Sequence, residues 1–269
     1  MHAESDASGV AAACGTGLTD EIVTVARRRR RFALLPSRAS QPAMRLIALP
    51  GVFRPISDSW QLAEAVCAEV RARRGSPRVL EVGTGSGAIA VAAARCGAEV
   101  TAVDVSRRAL ASAWLNARLH GTRIRVRRGS LLEPVAGERF DLIVSNPPYV
   151  PCPDPSLPRR GPERAWDAGP DGRAVLDELI AAAPAHLRPG GALVLVHSTV
   201  NGEERTLQAL AGHGLEADVM ARHPGPLGPL MSARVGHLEA TGLIAPGRRD
   251  EEVLIVRGAT SGSAQPAAA

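Results

Sequence analysis

The stretch Val79-Leu80-Glu81-Val82-Gly83-Thr84-Gly85-Ser86-Gly87 is the part of the sequence that indicates the fold. A short apolar strand pattern, 78–82, runs directly into three glycines, and an alanine-rich helix pattern, 88–95, follows them. A glycine turn between a strand and a helix lets the backbone approach a ligand closely. The glycines are spaced G-x-G-x-G, which is one residue tighter than the G-x-G-x-x-G of dinucleotide-binding proteins. The segment therefore predicts a ligand-binding turn in an open α/β sheet.

Strand and helix patterns alternate along most of the chain. After a first helix over 59–74, capped by Ser57 or Asp58, we predict strands at 78–82, 99–103, 123–127, 140–145, 192–197, 215–220 and 252–257. The predicted helices between them are 88–95, 107–120, 174–187 and 203–211, and 224–249 is expected to contain one inserted helix. Short buried strands that alternate with helices form a parallel sheet covered on both faces. The fold class is therefore α/β, with a doubly wound, mostly parallel sheet.

The composition indicates a globular protein, because 45% of the residues are hydrophobic, 22% are charged and the mean hydropathy is −0.01. No apolar run approaches the roughly 18 residues of a membrane span. Glu4 and Asp6 stand where a secretory signal would begin. The four cysteines lack the spacing of a metal site or a disulfide framework. We expect a cytoplasmic protein with no metal and no membrane contact.

The net charge of +5 is concentrated near the N-terminus. Residues 1–57 hold eight arginines, five of them in the run Arg27–Arg31, against four acidic residues. The run could contact an acidic partner or nucleic acid, but a solvated basic arm is the favoured interpretation. Because the excess lies in this arm, we expect no basic face on the folded body.

Asp104 ends the second predicted strand, seventeen residues after Gly87. A carboxylate at this place can accept hydrogen bonds from both hydroxyls of a ribose. It could instead cap the helix that begins at residue 107, although Ser106 could also fill that role. Ribose binding is favoured because the glycine turn lies at the right distance.

The motif Asn146-Pro147-Pro148-Tyr149 follows the fourth predicted strand, at the sheet edge where open α/β proteins bind ligands. The prolines stiffen the backbone and remove N–H donors, so carbonyl oxygens stay free to accept. The Asn146 side-chain oxygen and the Pro147 carbonyl could each accept one N–H of a planar –NH2 group, on which Tyr149 could stack. Asn-Pro dipeptides also end strands as simple turns, but with the glycine turn and Asp104 in place we favour an amide or amine clamp.

Together these segments resemble the HemK-type N5-glutamine methyltransferases of peptide-chain release factors, within the class I methyltransferases. The resemblance runs from about residue 51 to 258. It rests on Pro50-Gly51-Val52-Phe53-Arg54-Pro55, Asp58-Ser59, the glycine motif, Asp104, Asn116-Ala117, Ser145-Asn146-Pro147-Pro148-Tyr149 and Ala165-Trp166-Asp167-Ala168-Gly169-Pro170-Asp171-Gly172-Arg173. The last segment is similar to the single-domain branch of archaea and eukaryotes. The first fifty residues do not resemble the helical domain of the bacterial branch.

The resemblance implies a Rossmann-like class I methyltransferase fold with seven strands, the last one antiparallel, and S-adenosylmethionine (SAM) as cofactor. It implies that SAM contacts Gly83, Thr84, Gly85, Ser86, Gly87, Asp104, Val105, Ser130, Leu131 and Asn146. The catalytic residues would be Asn146, Pro147, Pro148 and Tyr149. Ser130 stands where the family usually has an aspartate.

The implied reaction is methyl transfer to the side-chain amide of a glutamine, in the Gly-Gly-Gln loop of a release factor. A small activating protein partner, as in the eukaryotic branch, is compatible with the sequence. The alternative is methylation of an exocyclic amine of adenine or guanine in DNA or RNA, which fits the same clamp but is less favoured because the body lacks a target-recognition domain. A metabolite acceptor also stays open.

Two further assignments complete the prediction. Asp167 and Asp171 could cap the helix that begins at residue 174 or line the substrate entrance, and the sequence favours neither. We divide the chain into a basic, partly disordered N-terminal extension (1–50), a methyltransferase domain (51–258) and a disordered tail (259–269).

Overall fold

A computed structural model describes residues 44–261. The predictions for the Arg27–Arg31 run, for most of the N-terminal extension and for residues 262–269 of the tail lie outside this range. In chain order the main elements are α1 (Ser57–Ala72), β1 (Arg78–Val82), α2 (Ala88–Arg95), β2 (Glu99–Asp104), α3 (Arg107–Leu119), β3 (Ile124–Arg128), β4 (Phe140–Ser145), α4 (Ala174–Ala182), β5 (Leu187–Ser198), α5 (Glu203–Gly212), β6 (Glu216–Pro226), α6 (Pro229–Ser232), α7 (Val235–Ala240) and β7 (Asp250–Ala259).

The seven strands form one sheet in the order β3-β2-β1-β4-β5-β7-β6. Strand β7 runs antiparallel to both of its neighbours, and the other strand pairs are parallel. The predicted fold class is therefore confirmed, including the antiparallel last strand. The strand order reverses between β1 and β4, and such a switch point is where open α/β sheets bind ligands.

Helices cover the sheet on both faces. On one face α2 packs on β1 and β2, and α1 packs against α2 and on β5 and β7, through small and branched side chains such as Leu62, Val66 and Ile89. On the other face α4 packs through Leu176, Leu179 and Ile180, and Leu210 of α5 extends the same layer. Alanine is frequent in α2 where the helix packs on β1 and β2, so the helix lies close to these strands.

Several element boundaries differ from the prediction because tertiary pairing overrides the local pattern. The helix predicted to reach residue 187 ends at Ala182, and a 3₁₀ turn, Ala183–His186, leads into β5. Strands β6 and β7 are longer than predicted because each supplies the other's backbone partners from Glu216–Ala259 to Pro226–Asp250. The segment expected to hold one inserted helix therefore contributes first to β6 and then forms the two short helices α6 and α7.

The start of α1 also corrects the prediction. The helix begins at Ser57, and its N-cap residue is Ile56 without a side-chain cap. Neither Ser57 nor Asp58 caps it, and Asp58 and Ser59 are buried instead. Because these two side chains do not cap the helix, they can contact the segment that follows β4.

The segment before α1 hydrogen-bonds to α3. Both backbone polar groups of Ile47 bond to the Asn116 side-chain amide at 2.8 Å, and the Leu49 N–H donates to Ser112 at 3.1 Å. Asn116 also donates to the Ser86 carbonyl at 2.8 Å. The first described residues are thus connected through one buried asparagine to the glycine turn.

The expectation that the body has no basic face is wrong. Residues 105–132 contain seven arginines and no acidic residue, and they form α3 and the edge strand β3. The sequence analysis considered only the summed charge of the body. That sum is nearly zero because acidic residues elsewhere offset these arginines.

Candidate active site

A cavity of about 330 Å³ opens at the switch point between β1 and β4. The last residues of these strands, Val82 and Ser145, are register partners, and the Ser145 hydroxyl donates to the Val82 carbonyl at 2.8 Å. The glycine turn after β1 and the Asn-Pro-Pro segment after β4 therefore leave the sheet side by side and form two walls of one cavity.

The glycine turn is held by the neighbouring strand. The N–H groups of Gly83 and Thr84 donate to the Val103 carbonyl at 2.9 and 3.1 Å. Gly87 has a different role, because a Cβ there would lie 2.7 Å from the Cα of Ala113. Gly87 is not among the cavity-lining residues, and its missing side chain lets α2 pack against α3.

Glu81 is a site residue that the sequence reasoning did not single out. It lines the cavity but is almost completely buried. Its Oε2 accepts hydrogen bonds from the Thr84 hydroxyl at 2.5 Å and the Ala90 N–H at 2.9 Å. Burial raises the pKa of Glu81 from 4.5 to about 8, although these two bonds oppose the shift. The available signal was one acidic residue among the apolar residues 79–82, just before the glycines.

Asp104 stands at the end of β2 with both carboxylate oxygens oriented by backbone groups. Oδ1 accepts from the Ser106 N–H at 2.8 Å, and Oδ2 accepts from the Gly85 N–H at 3.0 Å. Burial raises the pKa of the Asp104 carboxyl, while these bonds and the Arg164 guanidinium lower it. Helix α3 is capped by the Ser106 hydroxyl, which accepts from the Ala109 N–H. Ser106, and not Asp104, is therefore the side chain that caps α3, and the Asp104 carboxylate lines the cavity.

The segment after β3 completes the wall next to Asp104. Ser130, Leu131 and Val105 line the cavity, and Leu131 has a φ of 43°. A positive φ is unfavourable for a branched non-glycine residue and is often found at functional sites. The strained Leu131 backbone presents an apolar side chain to the cavity, where the family resemblance implies contact with SAM.

The Asn146 side chain is oriented by α1. Its Nδ2 donates to the Ser59 hydroxyl at 3.2 Å, and both residues line the cavity together with Pro147 and Pro148. This bond uses one of the two N–H donors of the amide, and the amide oxygen has no hydrogen-bond partner among residues 44–261, so it can accept one. Ser59 is the second site residue whose role the sequence did not predict.

Tyr149 is not among the cavity-lining residues. Its hydroxyl donates to the buried Asp58 carboxylate, and its ring packs against the apolar cluster that contains Val150, Leu238 and Ile244. Burial, with the neighbouring Asp58, raises the pKa of Tyr149 well above its usual value. In this conformation the Tyr149 ring packs against the apolar cluster, holds the segment after Pro148 in place, and does not face the cavity.

The loop after the motif folds back along the same segment. Val150 forms a parallel bridge with Asp167, and the Asn201 side chain donates to the Tyr149 carbonyl at 2.8 Å. A Cβ on Gly172 would lie 2.5 Å from the Asn201 Nδ2 and closer still to the Tyr149 carbonyl. Only glycine therefore fits where this loop crosses the end of the motif.

The two aspartates of this loop have different environments. Asp167 lines the cavity and pairs with Arg234 at 2.7 Å. Asp171 accepts from the Arg173 N–H at 3.1 Å and pairs with Arg205 at 2.6 Å, which holds the pKa of its carboxyl below the usual range. Arg173 itself is buried and bonds to Asp177, to the Asn201 carbonyl and to Thr206. Asp167 is thus placed at the cavity, and Asp171 stabilises the start of α4.

The cavity fits the predicted cofactor. An oriented carboxylate suits ribose hydroxyls, the glycine turn admits a ligand close to the backbone, and Leu131 and Val105 offer apolar contact to a flat base. The predicted site residues that line the cavity are Gly83, Thr84, Gly85, Ser86, Asp104, Val105, Ser130, Leu131, Asn146, Pro147 and Pro148. Their individual contacts with SAM stay predictions.

None of the described residues that line the cavity is a histidine. Among residues 44–261 no group of three or more His, Cys, Asp or Glu side chains could hold a metal ion. His197 is buried, and burial lowers its pKa to about 4, so it is neutral at physiological pH. No helix of the described part of the chain is long and apolar enough to cross a membrane.

Comparison with known proteins gives consistent matches. A family model described as methyltransferase small domain matches residues 43–153. A release factor glutamine methyltransferase of Geobacter sulfurreducens is 35% identical over 221 residues, which cover 79% of this chain and 76% of that protein. A putative protein N5-glutamine methyltransferase of Methanocaldococcus jannaschii is 34% identical over 183 residues, covering 68% of this chain and 90% of the relative.

A solved structure also matches the fold. It is the E. cuniculi Mtq2–Trm112 complex, responsible for the methylation of the eRF1 translation termination factor. The TM-score is 0.54 at 24% identity, and the match covers 78% of this chain and 99% of that one. At this identity the likeness shows the fold.

Proposed function

Because this chain belongs to the family of protein-glutamine N5-methyltransferases that includes the release factor glutamine methyltransferases, we propose that it methylates the side-chain amide nitrogen of a glutamine in a peptide-chain release factor. The chain is a SAM-dependent methyltransferase, and we place the acceptor glutamine in the Gly-Gly-Gln loop of the factor. SAM supplies a methyl group that is already activated on a sulfonium sulfur. The protein therefore has to bind, align and desolvate the acceptor amide.

The observation that carries this proposal is the hydrogen bond from the Asn146 Nδ2 to Ser59. This bond orients the Asn146 amide group, and its side-chain oxygen stays free to accept a hydrogen bond at the cavity. Pro147, which follows, has no N–H and offers only its carbonyl. A glutamine –NH2 has two N–H donors, so an acceptor pair at this position suits it.

The same pair also favours the transition state. The N–H groups of the acceptor become more acidic as the amide nitrogen attacks the methyl group. Hydrogen bonds to the Asn146 oxygen and the Pro147 carbonyl therefore strengthen during the reaction and lower its barrier. After methyl transfer the amide nitrogen carries one proton more than the N-methyl amide product, and this proton leaves to water. No side chain is assigned as general base.

The release factor is the protein partner that this reaction requires, and a reaction on a translation factor agrees with the cytoplasmic location expected from the sequence. The E. cuniculi structure is a complex with a second protein. A small activating partner for this chain belongs to the same proposal and is tested by comparing the purified chain with and without an extract of its own cells.

The test is a methylation assay with the purified full chain, SAM and a recombinant release factor. Mass spectrometry should find one added methyl group on the glutamine of the Gly-Gly-Gln loop, and none when that glutamine is replaced by alanine. Methylation of DNA or RNA at an exocyclic amine, with the glutamine unmodified, would instead establish the alternative acceptor. No methyl transfer to the factor, with or without extract, would refute the proposed substrate.

A further inference from the structure

One edge of the molecule has a concentrated positive charge. We call it the basic edge, and it consists of Arg107, Arg108, Arg118, Arg123, Arg125, Arg127 and Arg128 on and around α3 and β3. All seven side chains are exposed. The chain between Asp104 and Glu133 contains no acidic residue that could neutralise them.

The fold places these arginines along one edge of the sheet, on β3 and on the neighbouring helix α3. Strand β3 is an edge strand, and its register with β2 places Arg125 beside Thr101 and Arg127 beside Val103. These two arginines share a face of the strand, since side chains two residues apart point the same way. Val103 belongs to the apolar layer under α4, so this face is the one opposite α3, which packs beside α2. Arg107 and Arg118 stand on the exposed side of α3 with Trp114 between them, at helical spacing.

The arginines of the basic edge are unpaired. Among residues 44–261 none of the seven forms an ion pair. Arg108 and Arg128 bond only to backbone carbonyls, those of Pro50 and Val105. At the opposite sheet edge, by contrast, Arg222 of β6 pairs with Glu203 and Glu252. The lack of neutralisation is therefore a property of one edge.

An aromatic ring lies within this charge. Trp114 is 47% exposed, and the Arg118 guanidinium lies 5.2 Å from the centre of its ring. Arginines that guard an edge strand against pairing would explain the charges on β3. They would not explain an exposed indole between arginines on the adjacent helix, which costs solvation without protecting any strand.

We propose that the basic edge is a binding surface for single-stranded RNA. Guanidinium groups bind phosphate oxygens in a bidentate manner, and an exposed aromatic ring among them stacks on a base. An acidic protein face would use the charges but would leave the indole without a matching partner. The surface begins next to Val105 at the cavity, so RNA bound there would lie beside the methyl-transfer site without entering it.

This inference goes beyond the proposed function, because the RNA is bound and is not the methyl acceptor. The choice of RNA over DNA rests on the proposed function, which concerns a translation factor. The two hypotheses fail separately, since the Asn146→Ala variant should lose methyl transfer and keep RNA affinity.

The experiment measures fluorescence anisotropy of a labelled uridine oligonucleotide of about 16 nucleotides, the upper end of single-strand site sizes. The full chain is titrated between about 50 and about 200 mM salt. The test variant is Arg118→Gln/Arg125→Gln/Arg127→Gln. The matched control is Arg71→Gln/Arg74→Gln/Arg139→Gln, which removes the same charge from exposed arginines elsewhere and has no ion pairs to break. The Arg27–Arg31 run is present in every variant.

We expect the test variant to raise the Kd for RNA about tenfold or more at low salt. The slope of log K against log salt should fall by about 2, which corresponds to three lost phosphate contacts on a single strand. The control should stay near the parent in both measures. Trp114→Leu should weaken binding about tenfold without changing the salt slope, because stacking is not ionic.

Three results would overturn the proposal. The test variant could bind RNA as tightly as the control variant does. It could keep its RNA affinity but self-associate in size-exclusion chromatography, which would identify the arginines as edge protection. Polyglutamate or the equivalent DNA oligonucleotide could bind the parent as tightly as RNA does, which would show that the surface recognises charge alone.

Discussion

At the scale of single residues, the Asn146 amide decides whether the Asn-Pro-Pro segment is a clamp or a turn. Replacing Asn146 by alanine removes one acceptor of the transition-state amide but no element of the core. We expect Asn146→Ala to lower kcat by about 10²–10³, the cost of one lost transition-state hydrogen bond, and to change SAM affinity only slightly in calorimetry, because Asn146 is one of many residues expected to contact SAM. Asn146→Asp keeps an acceptor and should retain partial activity. Full turnover in the alanine variant would reduce the motif to a structural turn.

Ser59 is a positioning residue, because it acts through Asn146. Ser59→Ala leaves the Asn146 amide free to rotate, so its nitrogen can replace its oxygen at the acceptor position. We expect kcat to fall about tenfold, the cost of one hydrogen bond, while the affinity for SAM and the melting temperature change little. Ser59→Thr keeps the hydroxyl and should restore turnover. Equal loss in both variants would indicate a packing defect at the start of α1.

Glu81 makes stability depend on pH. It ionises near 4.5 in the unfolded chain but only near 8 in the folded protein, because burial disfavours the charge. The free energy of unfolding should therefore decrease as the pH rises from about 4.5 to about 8, and by no more than about 5 kcal/mol at the rate of 1.36 kcal/mol per pKa unit.

The matched variant is Glu81→Gln, which is neutral at every pH. The melting temperature of Glu81→Gln minus that of the parent should increase between pH 5 and pH 8 and stay constant above pH 8. Parallel curves for the two proteins over this range would contradict a raised pKa for Glu81.

At the scale of elements, the loop after the motif and the carboxyl end of β4 depend on each other through Gly172. Gly172→Ala adds a methyl group against the Tyr149 carbonyl and the Asn201 amide, and also strains a backbone with a φ of +71°. Gly97 has a φ of +101° but nothing within 4 Å of its Cβ position. Gly97→Ala is therefore a control that carries the backbone strain without the clash.

We expect Gly97→Ala to lower the free energy of unfolding by about 1–2 kcal/mol, the left-handed cost for an L-residue, with normal turnover. Gly172→Ala should be destabilised further and should also lose turnover, because the clash displaces Tyr149 and the prolines before it. Thermal unfolding and the methylation assay measure both. Equal stability and turnover of the two variants would show that the loop and the motif are not coupled.

Local patterns predicted most elements because each pattern reflects burial along one strand or helix. Strands β1, β2 and β4 were predicted within a residue, and their positions place the site. The pattern missed the lengths of β6 and β7, where segments such as His223-Pro224-Gly225-Pro226 have low strand propensity. They form a strand because β7 supplies their backbone partners, and pairing across the sheet is not written in the local sequence.

At the scale of the whole molecule, the described residues belong to one compact unit that begins at Met44. We predict that deleting residues 1–43 leaves the melting temperature and the SAM affinity unchanged. Deleting residues 1–50 removes both Ile47 bonds to the fully buried Asn116. An unsatisfied buried polar group costs about 1–3 kcal/mol.

The longer deletion should therefore lower the melting temperature, and it should weaken SAM binding because Asn116 also bonds to the Ser86 carbonyl in the glycine turn. Calorimetry and thermal unfolding of the two truncations measure both effects. A loss of stability already in the shorter truncation would place part of the domain before residue 44.

The sequence by itself determined the sheet, the glycine turn, the place of Asp104 and the Asn-Pro-Pro segment, because strand periodicity and turn residues are local properties. Only the tertiary structure decided which side chains meet. Ser59 reaches Asn146 across 87 residues of chain. Gly87 and Tyr149 serve packing, and the arginines between Asp104 and Glu133 lie at an edge of the molecule because β3 is an edge strand. These relations depend on the strand order and on how α1 and α3 pack, since contacts between distant segments are set by the arrangement of elements and not by the pattern within any one of them.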